Sequence, residues 1–571
     1  MIKKISLLSL ITMAVFAVSL LYPSAYADSV YSYDVTVFGD KQVTMGDLPV
    51  IYSSGIALIQ NEEDIKPAIS MAAPQQSNNI TTAAPDTSVN REMRGTWIAT
   101  VKNINMPEGM NEAAFRKWAV ENMNFLVQNN FNTAVFQVRP TGDALYKSVY
   151  APWSSFITGK AQGTDPGYDP LQIMIDEAHA RGIELHAWIN PYRLTMPSDK
   201  VSGFAANNIA KLNPSWMVSY GGQYYLNPGI AGVREHLINV VSEIVDNYDV
   251  DAIHIDDYFY PYPVSGGVYN DDKEFAAYGQ NFANKDDWRR DNVTKLVKEI
   301  YDTIKAKKSH VQFGISPFGV WRNKTNDPTG SDTNAGHETY SSLYADTRLW
   351  IKEGIIDYIT PQVYWSTEFA VANYKTLIQW WNNEIKTEAV KKPVNLYIGM
   401  ADYKVNDNAD VRWNNPNEIN LQVSLNRNAE NISGQMHYSI ASLKTNALNH
   451  VNMLKSAHYN NVALTPAVAI LNPQGCAALT GLTAAKVNEG IKLNILSNDA
   501  NTRKLLIYRF EGNSVGEFNS ASLIGVTYNT NGNTSYTDTT AAAGKTYTYA
   551  VKPVSAHGVV NQAYKSAAAT N

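Results

Sequence analysis

Residues 250–261 read V-D-A-I-H-I-D-D-Y-F-Y-P, a short apolar strand that runs directly into two adjacent carboxylates. Successive side chains of a strand point to opposite faces, so Ile253 and Ile255 share one face while His254 and Asp256 share the other. The apolar face predicts packing against neighbouring structure, and the polar face carries Asp256 to the end of the strand. The sequence therefore predicts that this strand delivers an acidic group into a polar pocket.

The residues at the end of the strand indicate what such a pocket can do. Asp256 and Asp257 can act as acid, base or nucleophile, and the rings of Tyr258 and Tyr260 offer flat faces on which a sugar can stack. This combination is typical of sites that cleave glycosidic bonds. The alternative interpretation is an Asp pair that caps the next helix or holds a structural ion.

Short apolar strands alternate with longer amphipathic helices on both sides of this stretch, which predicts a parallel sheet flanked by helices. The predicted strands span residues 94–101, 133–139, 184–190, 252–257, 312–317, 358–365, 394–401 and 435–441. The predicted helices span residues 111–128, 170–181, 233–247, 288–308, 342–353, 371–386, 416–429 and 443–456. This count predicts an α/β fold, a (β/α)8 TIM barrel over residues 91–465. An open doubly wound sheet is the runner-up, but it would more often carry a glycine-rich loop after its first strand, where this chain reads R-G-T-W-I-A-T-V-K-N.

In such a barrel the functional side chains lie at the carboxyl ends of the strands, and polar residues recur there in this chain. Amide, guanidinium and carboxylate groups can hold sugar hydroxyls, and aromatic rings can stack on sugar faces. The candidate substrate-binding residues are Gln137, Arg139, Asp143, Trp153, Asn190, Arg193, Tyr258, Tyr260, Ser316, Trp321, Gln362, Tyr364 and Trp365. We expect Arg139, Asn190, Asp256, Ser316 and Gln362 to face a common cleft.

The composition limits the classes of partner. The chain has 571 residues, 44% hydrophobic content and a formal net charge of −6. That length predicts two folded units rather than one. The lack of a basic excess argues against nucleic acid as a partner and suits a neutral, polar substrate.

The amino terminus predicts export to the medium, the periplasm or the cell envelope. Lys3 and Lys4 precede an apolar run over residues 5–21, and S-A-Y-A at residues 24–27 supplies a small-x-small cleavage site. Residues 1–27 are therefore a predicted signal peptide, without a following cysteine for a lipoprotein anchor and without a later apolar stretch that could span a bilayer. Residues 28–90 predict a short β-prone segment and a flexible linker.

The last part of the chain has a different residue pattern from the predicted barrel. Residues 473–571 contain short alternating segments such as T-Y-T-Y-A-V-K-P-V, separated by turns, which is typical of a small β-sandwich. The alternation followed by S-A-H-G resembles a fibronectin type III domain. Such domains mostly act as spacers or docking modules, so we expect no catalytic residue here.

Ordered motifs across residues 93–365 carry a resemblance to a known family. They include M-R-G-T-W, F-Q-V-R-P-T-G-D-A-L-Y, H-A-W-I-N-P-Y-R, H-I-D-D-Y-F-Y-P, G-I-S-P-F-G-V-W-R-N and D-Y-I-T-P-Q-V-Y-W. Together they resemble the bacterial glycosyl hydrolase-like family labelled family-10-like, a group of exported TIM-barrel proteins. The resemblance implies hydrolysis of O-glycosidic bonds in an extracellular or cell-wall polysaccharide, with peptidoglycan glycan strands as a leading substrate.

The sequence leaves open which carboxyl group works with Asp256. The segment D-A-I-H-I-D-D-Y is similar to the fourth-strand signature of chitinase-like barrels, but Tyr258 stands where their acid-donating Glu would be. Adjacent side chains on a strand point apart, so Asp256 and Asp257 would form the pair only if the strand ends before them. The predicted catalytic residues are Asp256, Asp257 and Glu184, with Asp143, Asp271, Asp272 and Glu274 as further candidates for the acid.

A second class of function follows from the unidentified acid. A catalytically inactive glycan-binding protein on the same barrel is the alternative to a hydrolase. A metal-dependent enzyme ranks third, because the chain has no H-E-x-x-H motif and no Cys/His spacing typical of a metal site. The sequence predicts no cofactor and no metal ligand.

Overall fold

The computed structural model describes residues 89–197, 199–386, 390–407 and 409–571. The predicted signal peptide, and all but the last two residues of the predicted segment and linker, lie outside these ranges. Within the described ranges, no helix is both long and apolar enough to cross a membrane.

A closed barrel of parallel strands forms the larger part of the described chain. The first ten strands are β1 (Met93–Ile98), β2 (Thr133–Arg139), β3 (Glu184–Ile189), β4 (Met217–Tyr220), β5 (Gln223–Leu226), β6 (Ala252–Ile255), β7 (Gln312–Ile315), β8 (Tyr358–Ile359), β9 (Asn395–Met400) and β10 (Ile432–His437). Eight of them close the barrel in the order β1-β10-β9-β8-β7-β6-β3-β2, while β4 and β5 form a separate antiparallel hairpin. The predicted (β/α)8 barrel is confirmed.

Helices follow the barrel strands, as the alternation predicts. They are α1 (Glu112–Gln128), α2 (Ser155–Thr158), α3 (Pro170–His179), α4 (Ile209–Leu212), α5 (Ala231–Asn247), α6 (Asp272–Tyr278), α7 (Lys285–Lys307), α8 (Thr339–Ser342), α9 (Thr347–Glu353), α10 (Tyr374–Ile385), α11 (Glu418–Asn428), α12 (Ile440–Thr445) and α13 (His450–Ala457). Short 3-10 turns occupy Val101–Asn103, Val201–Gly203, Pro214–Trp216, Asp402–Lys404, Val411–Asn414 and Ala447–Asn449.

Local sequence explains why these helices begin and face the barrel as they do. The Asn111 side chain accepts from the Ala114 N–H and caps α1, and Asp169 caps α3, whose first residue is Pro170. Phe115, Ala119, Met123 and Leu126 of α1 recur at helical spacing and are all buried. α1 therefore covers the barrel with one apolar face.

Two predicted elements are shorter or more broken than the sequence indicates. β8 stops at Ile359, whereas the pattern predicts a strand to residue 365, because Pro361 cannot donate to a strand ladder. The last predicted helix is divided into α12 and α13 by Asn446, Leu448 and Asn449, which all have positive φ angles.

The barrel interior contains both large rings and polar groups. Trp97, Trp188, Tyr358 and Tyr397 form an interior cluster, distinct from the apolar layer between strands and helices. His186 and His254 are also fully buried in this interior. A barrel core with this much polar content needs internal hydrogen bonds.

The C-terminal part forms two antiparallel sheets. Its strands are β11 (Gly481–Val487), β12 (Gly490–Leu496), β13 (Thr502–Glu511), β14 (Leu523–Tyr528), β15 (Asn533–Asp538), β16 (Thr546–Ser555) and β17 (Lys565–Thr570). The sheets have the orders β11-β12-β15 and β14-β13-β16-β17, and their apolar faces share one core with Leu493, Ile507 and Val551. The all-β sandwich is confirmed, and its resemblance to fibronectin type III stays a prediction.

The sandwich contacts the amino ends of the barrel strands. Arg503 pairs with Asp251, the residue before β6, at 2.7 Å, and the Tyr528 hydroxyl donates to the same carboxylate at 2.8 Å. Lys504 lies 2.5 Å from Glu184, the first residue of β3. The carboxyl ends of the strands, where Asp256 lies, face away from this contact.

Candidate active site

The end of β6 brings two carboxyl groups into one buried site. The strand stops at Ile255, so Asp256 and Asp257 follow it and do not alternate across a sheet. Both residues are only 3% exposed. The charge of Asp257 raises the pKa of Asp256, and Arg193 lowers the pKa of both. The condition under which adjacent aspartates can act as a pair is therefore met.

The neighbouring strand β3 and the residue after it hold Asp256 through N–H donors. The Trp188 indole donates to its Oδ2 at 3.0 Å, and the Asn190 amide donates to both carboxylate oxygens at 3.3 Å. The Asn190 amide is itself oriented, because its oxygen accepts from the Arg193 backbone N–H at 3.1 Å. Trp188 and Asn190 have the same parity on β3 and just beyond it, so one strand end supplies both donors.

A different set of groups holds Asp257. The Tyr262 hydroxyl donates to its Oδ2, and a hydrogen bond from Gln362 lowers its pKa. Gln362 also donates to the Ser316 backbone oxygen at 2.8 Å. The ends of β6, β7 and β8 therefore meet at Asp257, as predicted for Ser316 and Gln362.

Two arginines support the site, Arg139 at the end of β2 and Arg193 in the loop after β3. Arg193 lies with its guanidinium carbon 4.9 Å from the centre of the Tyr258 ring and donates to the Pro140 oxygen. Arg139 is fully buried and donates to the backbone oxygens of Asn190 and Pro191 at 2.7 and 3.1 Å. Arg193 supplies positive charge near the acids, whereas Arg139 fixes the backbone that carries Asn190.

The surroundings keep the acid pair partly protonated. Burial first, and the Asp257 charge second, raise the pKa of Asp256 to about 7, while Arg193 opposes the shift. Burial also raises the pKa of Asp257, against the bonds from Tyr262 and Gln362. Interacting acids lose their protons in steps, and these shifts keep a proton on the pair up to about pH 7.

Aromatic side chains of intermediate exposure adjoin Asp257. The Tyr262 ring lies 5.8 Å from Tyr258 and 6.1 Å from Phe318, and Phe318 lies 5.4 Å from Trp365. All four are only partly buried. They can offer ring faces beside the acid that Tyr262 contacts.

A second aromatic group lies beside both acids. The Tyr438 ring is 6.1 Å from Tyr364 and 5.9 Å from Tyr403. Burial, followed by the charge of Asp256, raises the pKa of Tyr438 to about 12. We call the combined set the aromatic rim; its members are Tyr258, Tyr262, Phe318, Tyr364, Trp365, Tyr403 and Tyr438.

Glu184 does not lie at this site. It is the first residue of β3, at the amino end of the barrel, where it pairs with Lys504 at 2.5 Å and accepts from Thr465. In the sequence, Glu184 has the same strand parity as Trp188 and Asn190. Parity gives the face of a strand but not the end, so the expected contact with Asp256 is wrong.

The other candidates for the acid also lie away from Asp256. Asp143 is buried in the loop after β2, where it accepts from Thr141 at 2.7 Å and from Gln162 at 3.3 Å. Asp271 pairs with Arg289 at 2.6 Å, Asp272 is exposed, and Glu274 lies in the first turn of α6. Asp257 is the candidate that shares the site of Asp256.

Two further predicted binding residues have structural contacts. The Gln137 side chain accepts from the backbone N–H groups of Thr100 and Val101 at 3.0 and 2.9 Å. Tyr260 is buried against Tyr269, with a ring distance of 5.1 Å. These two residues pack away from the acid pair, although sequence position placed them beside it.

Tryptophans show the same separation from the acid pair. Trp321 is buried and stacks on Trp380 at 5.8 Å. Trp153 is partly buried in the loop after β2, where its backbone pairs with Ala144. Neither has a described contact with Asp256 or Asp257.

Sequence reasoning missed Tyr262, Phe318, Tyr403 and Tyr438. Tyr262 stands one position beyond the motif H-I-D-D-Y-F-Y-P, and Phe318 lies within G-I-S-P-F-G-V-W-R-N, so both could have been selected from the motifs. Tyr403 and Tyr438 follow β9 and β10, whose ends show no charged pair of the kind that marked β6. Among the described residues, no group of three or more His, Cys, Asp or Glu side chains is placed to hold a metal ion.

Comparison with known proteins gives consistent matches over the barrel. The profile of the family described as glycosyl hydrolase-like 10 matches residues 92–415. Glycosyl hydrolase YngK of Bacillus subtilis (strain 168) is 43% identical over 471 residues, which cover 81% of this chain and 90% of that protein. Glycosyl hydrolase DigH of Escherichia coli (strain K12) is 37% identical over 390 residues, which cover 64% of this chain and 87% of that protein.

One solved structure with a similar fold is the PgaB (BpsB) glycoside hydrolase domain from Bordetella bronchiseptica. It has a TM-score of 0.42 and 9% sequence identity, with 66% of this chain and 100% of that chain covered. The profile match spans more than half of this chain, and the Bacillus relative is similar over most of both proteins. The chain belongs to the glycosyl hydrolase-like 10 family.

Proposed function

We propose that this protein is a glycoside hydrolase that cleaves O-glycosidic bonds and that Asp256 and Asp257 are its reacting groups. The observation that carries the proposal is the pair of buried carboxyl groups at the carboxyl end of the barrel, with raised pKa values. Membership of the family, and relatives described as glycosyl hydrolases, support the same class of reaction.

The shared proton gives the two acids complementary roles. The protonated carboxyl group can donate to the glycosidic oxygen as the bond to the anomeric carbon breaks. The ionised carboxylate can stabilise the positive charge that develops at the anomeric carbon, or activate the attacking water. Trp188, Asn190 and Tyr262 hold the two groups in place for this exchange.

The substrate that we propose is an extracellular or cell-wall polysaccharide, with peptidoglycan glycan strands as the leading choice. The aromatic rim and the amides near the acids suit a neutral sugar chain better than a strongly charged ligand. The signal-peptide pattern of residues 1–27 supports export, which would bring the enzyme to such a polymer.

The direct test is to incubate the full mature chain with peptide-free peptidoglycan strands and with a panel of plant and microbial glycans. New reducing ends and product masses are then measured for the wild type, Asp256→Asn and Asp257→Asn. We expect Asp256→Asn to lose at least about 10²-fold in turnover while it keeps glycan binding. Asp257→Asn should also impair turnover, because it removes the second member of the pair.

Asp302→Asn is the matched control, because it removes a carboxylate from an exposed Lys298 pair on α7. Near-normal turnover of Asp256→Asn would show that the chemistry lies on another residue. If the wild type binds glycans but releases no reducing ends from any of them, the protein is the inactive glycan-binding alternative.

A further inference from the structure

A row of buried polar side chains runs through the barrel interior beneath the acid pair. The row begins with Ser316, just after the carboxyl end of β7. The Oγ of Ser316 lies 2.9 Å from Nε2 of His254. The Trp97 indole donates to the same nitrogen at 3.2 Å. The other ring nitrogen of His254, Nδ1, lies 2.9 Å from the Tyr358 hydroxyl. All four residues are at most 2% exposed, so water does not complete these bonds.

The row continues to the C-terminal sandwich. The Tyr358 hydroxyl also lies 2.9 Å from Nδ1 of His186, whose Nε2 lies 3.2 Å from Oε2 of Glu184. Oε1 of Glu184 accepts from Lys504 Nζ and from Thr465 Oγ1, both at 2.5 Å. Lys504 belongs to β13. Continuous hydrogen bonds, here called the axial chain, therefore join Ser316 to the sandwich.

One arrangement of protons is compatible with every contact of the axial chain, with the single lone pair of His254 Nε2 shared between the Trp97 and Ser316 donors. An indole N–H can only donate, so Nε2 of His254 accepts and its Nδ1 carries the ring proton. That proton goes to the Tyr358 oxygen, and the Tyr358 proton goes to Nδ1 of His186. Nε2 of His186 then donates to the Glu184 carboxylate. With the Ser316 hydroxyl donating to His254, every proton of the axial chain points toward Glu184.

Ser316 connects this order to the acid pair. Its backbone oxygen accepts from Gln362 at 2.8 Å, and Gln362 also bonds to Asp257. A Ser316 hydroxyl whose proton is donated to His254 has only lone pairs left, so it cannot also donate toward the acid pair. The axial chain thus sets the hydrogen-bonding character of one group beside the acids.

We propose that Lys504 makes the sandwich a working part of the active site, because it keeps Glu184 ionised, and an ionised Glu184 supports the proton order that Trp97 requires at His254 and Ser316. The inference rests on the hydrolase function proposed above. Lys504, Glu184, His186, Tyr358 and His254 are positioning residues in this arrangement. A buried carboxylate without a counter-charge takes up a proton. Without Lys504, Glu184 would therefore be neutral and would no longer require His186 Nε2 to donate to it.

Tyr358→Phe tests the axial chain at its centre, because it removes one hydroxyl and keeps the ring. We expect kcat to fall by about 10-fold or more while KM changes by less than about 2-fold. Tyr397→Phe is the matched control, since its ring lies 5.2 Å from that of Tyr358 and its hydroxyl is not in the axial chain. The same kcat for both variants would overturn the proposal.

A second measurement needs no substrate, and therefore separates this inference from the proposed function. Nitrogen-15 NMR of histidine-labelled full-length mature protein should show His254 protonated at Nδ1 and His186 at Nε2. Lys504→Met should shift the signals of both residues. Arg503→Met removes a neighbouring interface pair, at 2.7 Å from Asp251, and should leave the His254 signals unchanged.

The outcomes divide clearly. The inference is wrong if the His254 nitrogen shifts are the same in Lys504→Met and in the wild type. It is also wrong if the wild type shows the opposite tautomers of His254 and His186. Neither outcome depends on which glycan the enzyme cleaves. If Lys504→Met does not fold, Tyr358→Phe serves in the same spectrum, because His254 Nδ1 then loses its acceptor. If no glycan is cleaved, the proposed function fails, and the NMR result alone decides whether the sandwich controls proton positions in the barrel.

Discussion

Asp256 destabilises the fold when it is ionised. Burial, then the Asp257 charge, raise its pKa from the ordinary value of 3.8 to about 7. A group with a higher pKa in the folded state contributes stability that is complete below its unfolded pKa and is lost as pH rises through its folded pKa. The stability that Asp256 contributes is therefore complete below pH 3.8 and lost as pH rises through about 7.

Asp256→Asn should therefore be more stable than the wild type in alkaline solution. We expect a gain of about 2 kcal/mol in the free energy of unfolding above about pH 8, and little difference near pH 4. Denaturant unfolding at the two pH values measures both quantities, with Asp302→Asn as the exposed control. A difference between variant and wild type that is the same at both pH values would contradict this assignment.

Arg193 should set the pH range of activity. Its charge lowers the pKa of both Asp256 and Asp257, and turnover should fall as pH rises through about 7, where the pair loses its last proton. Arg193→Met removes that charge, so the fall should move to higher pH by about half a unit or more. Arg193→Lys keeps a positive charge and should move it less. Profiles of kcat/KM against pH check this, and a shift to lower pH would show that Arg193 does not act on the pair.

Residue-level reasoning selected Asp256 and left its partner open, with Asp257 among the candidates. The alternation of apolar and polar side chains over residues 252–256 was sufficient to predict that the Asp256 side chain points into the barrel. Whether Asp257 joins it depends on where β6 ends, and the ladder ends where Ile255 pairs with Ile189 and Ile315. That limit comes from neighbouring strands, so the sequence of β6 alone could not provide it.

At the level of elements, hydrophobic periodicity predicted the number and order of the barrel strands. β2 has the predicted limits, and β8 differs most, because it has only two residues in regular pairing. Beyond it, Pro361 interrupts the ladder, and Gln362 makes isolated bridges to Phe318 and Gly399. Sequence patterns detect apolar runs, but a ladder also requires backbone donors.

Gly314 of β7 is required by its neighbour in β8. A methyl group at this position would overlap the Tyr358 ring, which is fully buried and cannot move aside without disturbing His186 and His254. We expect Gly314→Ala to lower the free energy of unfolding by about 2–3 kcal/mol or more. Gly336→Ala is the control, because nothing lies within 4 Å of the added methyl group. Equal denaturation midpoints for the two variants would refute this role of Gly314.

At the scale of the whole molecule, ion pairs between barrel and sandwich are invisible to local pattern. Glu184 and Lys504 are 320 positions apart, and Asp251 and Arg503 are 252 positions apart. Sequence reasoning therefore assigned Glu184 to catalysis, since a buried acid on a barrel strand is a reasonable catalytic candidate. Only the position of the sandwich shows that its charge is balanced at the opposite end of the barrel.

The Glu184–Lys504 pair should make the stability of the molecule depend on acid pH. Burial alone would raise the pKa of Glu184, but Lys504 and the His186 bond lower it from the ordinary value of 4.5 to about 2. A group with a lowered pKa contributes stability that is present above its unfolded pKa and is lost as pH falls through its folded pKa. Wild-type stability should therefore fall between pH 4.5 and about pH 2, in part through this group.

Glu184→Gln should remove that part of the acid dependence, about 2–3 kcal/mol across the interval, and should be less stable than the wild type at pH 7 because Lys504 loses its buried partner. Glu299→Gln is the matched control, since it breaks a more exposed pair with Arg234 within the barrel. Free energies of unfolding at pH 2.5, 4.5 and 7, from denaturant titration, give the comparison. If Glu184→Gln loses as much stability as the wild type between pH 4.5 and about pH 2, the Glu184–Lys504 contact is not the acid-sensitive link between barrel and sandwich.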